Sequence, residues 1–132
     1  MSDPAVQRQS RSARLWTLEI ARDSRDGVRI LVVSGRLGVA GASDLAGALK
    51  EELVGQARVL IDLSGVDYMS SAGLLTLQQA AANAREREVR LALCSLPEPV
   101  RLALDLAGLA GEFTIEASRD AAVSALAAAG GL

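Results

Sequence analysis

Two adjacent serines, Ser70 and Ser71, are the residues of this sequence best placed to do chemistry. They stand in IDLSGVDYMSSAGLLTL, residues 61–77, between an apolar run that ends at Leu63 and a helical pattern that begins at one of them. Small residues, Ala72 and Gly73, follow directly. A serine at a helix start has two uses. Its hydroxyl can accept from an orphan backbone N–H and cap the helix, an interaction worth about 1 kcal/mol. It can also take a phosphoryl group, because a helix N-terminus tolerates an anion while the group projects about −1.5 to −2 charges outward. Capping alone accounts for the spacing; modification would add a switch.

Other chemistries fail on missing parts. Ser71 lacks a general base, since the chain has no histidine and its sole lysine, Lys50, falls on an exposed helix face. The surrounding residues are not G-x-S-x-G. Asp62 and Asp67 flank the predicted Ser64-Gly65 turn, but two carboxylates do not make a magnesium site. Asp62 is expected at a strand end, ordering a turn through Ser64-Gly65. Gly35, Gly38 and Gly41 in SGRLGVAGAS match neither GxxxxGK[ST] nor G-x-G-x-x-G, so they read as a flexible loop. By position this loop borders the Ser71 turn. Cys94 reads as a small core residue, and Arg85-Glu86-Arg87-Glu88 as a solvated helix end. No catalytic residue, metal or cofactor is expected.

The elements that must position the serines follow from periodicity. Residues 15–20 alternate, with Trp16, Leu18 and Ile20 on one face, as in a half-exposed strand. Asp26-Gly27 signals a hairpin, and the run 28–34 is apolar throughout, as expected of a strand covered on both faces. Ser43 is expected to cap a helix carrying Leu45, Leu49 and Leu53, with Gly55 stopping it. Strands are predicted over 59–63, 89–94 and 113–117. Helices are predicted over 71–87, from Pro99 to before Gly108, and after a Ser118 cap. The order β-β-α-β-α-β-α-β-α implies an antiparallel hairpin followed by parallel strands, a mixed sheet packed with about four α-helices.

Composition narrows the class further. With 132 residues the chain forms one domain. Aromatic residues make up 2%, so the core is aliphatic and no base-stacking platform for nucleic acid exists. The net charge is −2, with Arg8, Arg11 and Arg14 against Asp3 in the first fourteen residues, leaving an acidic body that does not suit DNA. Residues 1–13 are expected to be a disordered tail, 14–128 the folded domain and 129–132 a C-terminal tail. No signal-peptide core and no span of roughly 18 apolar residues is present, which predicts a cytoplasmic protein without membrane insertion.

The segment DLSGVDYMSSAGLLTL resembles the signature of STAS domains, and especially of bacterial anti-sigma factor antagonists. The strand leading into Ser34-Gly35-Arg36-Leu37, the element order and the closing SRDAAVSAL resemble that family too, over about residues 14–128. In the family the residue two before the motif glycine is phosphorylated, which points to Ser71 ahead of Ser70. An acidic residue often precedes that serine; here Ser70 does. The resemblance implies a partner switch. The unmodified antagonist binds an anti-sigma factor that is itself a GHKL-type serine kinase, and the sigma factor is freed. Phosphorylation ends binding, and a serine phosphatase restores it. The implied docking surface comprises Gly35, Arg36, Leu37, Tyr68, Met69, Ser70, Ala72, Gly73, Leu74 and Leu75, on a monomer. Two other roles for the same fold remain open: an adaptor subunit of a membrane lipid-transport ABC complex, and a stressosome-type scaffold.

Overall fold

In the computed structural model, residues 18–130 are described; the predicted tail at 1–13, the strand start at 15–17 and residues 131–132 lie outside them. The hairpin forms as its turn residues require. Strand β1 (Leu18–Arg25) runs antiparallel to β2 (Val28–Leu37), with Arg25 opposite Val28. Asp26 and Gly27 take φ of 53° and 79°, the left-handed pair that a two-residue turn needs. Then β3 (Arg58–Met69), β4 (Arg90–Cys94) and β5 (Thr114–Glu116) add in parallel, in the order β1-β2-β3-β4-β5.

Strict alternation explains why the central strands read as apolar at every position. Leu31, Val33, Ile61, Leu63 and Leu93 face one side, against Leu45 and Leu49 of α1 (Val39–Gly55), Leu77 of α2 (Ser71–Glu86), and Val100 and Leu104 of α3 (Glu98–Leu106). Val28, Ile30, Leu60, Ala92 and Cys94 face the other, against Ala122, Val123 and Leu126 of α4 (Arg119–Gly130). The helices therefore divide three to one. Ser118 caps α4, as expected, by accepting from Ala121 N–H at 3.1 Å. The final helix continues to Gly130, past the boundary at 128 read from the sequence.

Two expectations fail, both at glycines. The helix after β2 starts at Val39 with Gly38 as its cap, and Ser43 is an exposed residue inside it. Gly41 lies in the first turn, where a Cβ would stand 2.5 Å from the Arg36 carbonyl oxygen and 3.0 Å from Leu18 Cβ. That glycine serves close packing of α1 on the hairpin rather than loop flexibility. Likewise Ser64-Gly65 is no turn: β3 continues through it to Met69, and Asp62 lies within the strand. The extension pairs with β2 alone, beyond the last β3–β4 partners, Asp62 and Cys94. Register shifts fall between Val32 and Ser34 and between Gly35 and Arg36. A Cβ on Gly65 would meet Ser34 Cβ at 2.6 Å, and Gly35 has φ of 100°, so these glycines build an irregular ladder.

Candidate functional site

The β2–β3 extension ends beside the start of α2, and Leu37 joins them. Its carbonyl accepts from both the backbone N–H of Ser70, at 2.9 Å, and the Ser70 hydroxyl, at 3.0 Å. Ser70 Oγ in turn accepts from Gly73 N–H at 3.2 Å, the N-cap bond of α2. Gly73 permits this closeness: a Cβ there would lie 2.7 Å from Leu37 Cγ and 2.8 Å from Met69 Sδ. The capping role thus falls to Ser70, which is half-buried. Ser71 is the first residue of α2, exposed, and its side chain bonds to none of the described residues.

The residues predicted to form a docking surface lie at the end of β2, the end of β3 and the start of α2, and they divide by exposure. Leu37 and Gly73 are buried, so they position the surface and offer a partner no side chain. Met69, Ala72 and Leu74 are half-buried and pack on the main core. Leu75 is 52% exposed and sits one turn along α2 from Ser71. Arg36 and Tyr68 are register partners, with the guanidinium 4.3 Å from the ring centroid and the ring 41% exposed. Val39, 78% exposed at the start of α1, is an apolar neighbour that the sequence reading did not single out; its signal was its place within the Gly35–Gly41 segment.

Asp62 behaves differently from the turn-ordering carboxylate expected at a strand end. It is buried, and its Oδ1 accepts from Ser64 N–H at 3.0 Å while Oδ2 accepts from Arg119 Nε and Nη2, both at 2.8 Å. Burial opposes its ionisation, yet the Ser64 hydrogen bonds and the Arg119 guanidinium outweigh it and hold the carboxyl below its ordinary range. The group therefore ties α4 to β3. Among the described residues no cluster of three or more histidine, cysteine, aspartate or glutamate side chains could hold a metal ion. Cys94 is buried in the sheet core, where desolvation pushes its thiol pKa up.

Two surface clefts open elsewhere. One, of about 260 Å³, lies among Arg85, Arg90, Phe113 and Leu126; the other, of about 200 Å³, runs between Leu49, Lys50, Gln79 and Asn83. Neither is lined by Ser70 or Ser71.

The sequence profile of the STAS domain family matches residues 19–122. The chain belongs to that family. A relative in Bordetella bronchiseptica, BtrV, whose name assigns it as an anti-sigma factor antagonist, is 33% identical over 82% of this chain and 94% of its own. Among solved structures, an anti-sigma factor antagonist from Mycobacterium paratuberculosis superposes with a TM-score of 0.76 at 24% identity, covering 83% of this chain and 93% of that one. The phosphorylated form of the Bacillus cell fate determinant SpoIIAA gives 0.65 at 11% identity, covering 81% and 98%. These two likenesses establish the fold. In this STAS domain no helix among the described residues is long and apolar enough to cross a membrane.

Proposed function

We propose that this STAS domain is an anti-sigma factor antagonist that docks through the β3–α2 junction and is switched off by phosphorylation of Ser71. The carrying observation is the exposed, uncommitted Ser71 hydroxyl at the head of α2, beside a serine whose hydroxyl is already engaged. The Bordetella relative, similar over nearly its whole length, supports the class. The partner is an anti-sigma factor with GHKL-type serine kinase activity; a serine phosphatase reverses the modification. In this scheme the chain is a cytoplasmic, monomeric binder and substrate, not a catalyst.

The physics of the switch is local. Unmodified, Ser71 offers a neutral hydroxyl, and the elements that meet at the junction carry exposed apolar surface at Val39, Tyr68 and Leu75, which suits a partly apolar protein partner. A phosphoryl group puts about −1.5 to −2 charges at that point. Burying that charge against an apolar or acidic partner costs several kcal/mol, and about 3 kcal/mol already weakens binding more than a hundredfold. The fold need not change.

The test is affinity capture followed by phosphoryl transfer. Recovery of a GHKL kinase, which with ATP modifies Ser71 as mapped by mass spectrometry, is the expected result. Recovery of an ABC ATPase with no transfer would replace this reading with the adaptor role.

A further inference from the structure

The same geometry assigns a task to the other serine. We propose that Ser70 is the positioning residue that makes Ser71 the sole acceptor, an inference that rests on the phosphorylation reading above. Phosphoryl transfer from a nucleoside triphosphate forms an Oγ–P bond and breaks the bond between the γ-phosphorus and the departing diphosphate. The hydroxyl proton leaves to a base on the kinase. Ser70 is unfit for this on two counts. Its proton points at the Leu37 carbonyl, 3.0 Å away, and an amide oxygen is not a base that can take it. Its oxygen lone pair accepts from Gly73 N–H at 3.2 Å. To attack phosphorus it must abandon both bonds and leave the first turn of α2 without its cap. Ser71 breaks nothing.

Selection by commitment also fixes where the acceptor stands. Leu37 takes both donors of Ser70, and Gly73 packs against Leu37 and Met69, so α2 begins at one place relative to the end of β2. Ser71 is then held at the first helical position with its side chain facing solvent. A carboxylate at position 70 would also cap the helix. The neutral hydroxyl does so without placing a second anion next to the phosphate.

The experiment has two arms. In the first, phosphoserine is encoded genetically at 71 or at 70 and the purified full-length chains are melted without any partner. The 71-modified chain should melt within about 2 °C of the unmodified one. The 70-modified chain should melt at least about 4 °C lower, because its esterified oxygen has no proton to give the Leu37 carbonyl and the anion is set against that carbonyl in a half-buried place, with faster amide exchange at Ser70. Equal melting of the two modified chains would overturn the proposal. In the second arm, the captured kinase and ATP are given Ser71→Ala, Ser70→Ala and Ser70→Thr. Transfer to Ser70 in Ser71→Ala should be at least about tenfold slower than wild-type transfer, the factor that one lost hydrogen bond already supplies. Ser70→Ala should still be modified at Ser71 but with a raised KM, and Ser70→Thr, which keeps both the bond to Leu37 and the cap, should recover it. Transfer to Ser70 at the wild-type rate would overturn the assignment. Failure to capture a kinase would count against the function alone, because the first arm needs none.

Discussion

Ser70 and Ser71 carry the same side chain in opposite circumstances. One hydroxyl makes two hydrogen bonds; the other faces solvent. Replacement at 71 should therefore act on binding and leave the fold alone. Ser71→Asp is expected to lower affinity for the captured anti-sigma factor at least about tenfold, because even one fixed negative charge in the interface costs more than about 1.4 kcal/mol. Ser71→Ala should bind within about threefold of wild type, losing only a solvated hydroxyl. Titration calorimetry on both, with melting temperatures as the control for folding, checks the pair; equal affinities would remove the charge argument. The sequence located this pair correctly but could not apportion the roles. Capping and acceptance need the same residue type at the same spacing, and only the Leu37 carbonyl, 33 residues away in the chain, decides between them.

Among the elements, two carboxylates fasten helices to the sheet. Glu52, near the end of α1, is 7% exposed and accepts from Arg22 Nε of β1 at 2.7 Å and Arg29 Nε of β2 at 3.0 Å. Glu52→Gln should destabilise the fold by about 1.5–3 kcal/mol in urea unfolding, the range for hydrogen bonds to charged groups. Partner binding should persist, since thirteen helical residues, about 20 Å, separate Glu52 from Val39. Asp62 fastens α4 to β3 in the same manner, and its contribution depends on pH. Because its folded pKa is depressed, the stability it provides is present above the unfolded value, about 3.9, and is lost as pH falls through the lower folded value. Asp62→Asn should cost about 1–2 kcal/mol near neutral pH, because it breaks a charge-assisted pair whose loss is softened by the 36% exposure of the Arg119 side chain. The variant should also show a shallower loss of stability on acidification. Neither fastening was legible in the sequence. Glu52 reads as one more acidic residue in EELVG, and Arg119 as one of several arginines, until the crossovers bring distant segments together. Apolar runs, by contrast, marked β2, β4 and the first half of β3, because alternation between two covered faces needs no long-range information. Glycine was the ambiguous letter: at 41 and 65 it meant close approach, where punctuation was expected.

At the scale of the whole molecule, the composition sets the condition under which a serine switch works cleanly. The chain has no histidine, and its one cysteine is buried with a raised pKa. The chain therefore lacks the one side-chain type that ordinarily titrates between about pH 6 and 8, and no imidazole can imitate or oppose the phosphate. Thermal stability of the unmodified chain should be flat across that interval, apart from whatever the terminal amine contributes. The phosphorylated chain should differ in one respect. Its second phosphate ionisation, near pH 6, lies inside the range and is the added titration that the fold otherwise lacks. If the switch acts through charge, affinity of the Ser71-phosphorylated chain for its partner should rise as pH is lowered through about 6 and the group falls toward a single negative charge. Titration calorimetry of modified and unmodified chains against the same partner separates this from titration within the partner, which moves both curves together. A phosphorylated chain whose relative affinity does not change with pH would point to steric exclusion by the bulk of the phosphoryl group, and the charge repulsion argued here would then not be the force that parts the two proteins.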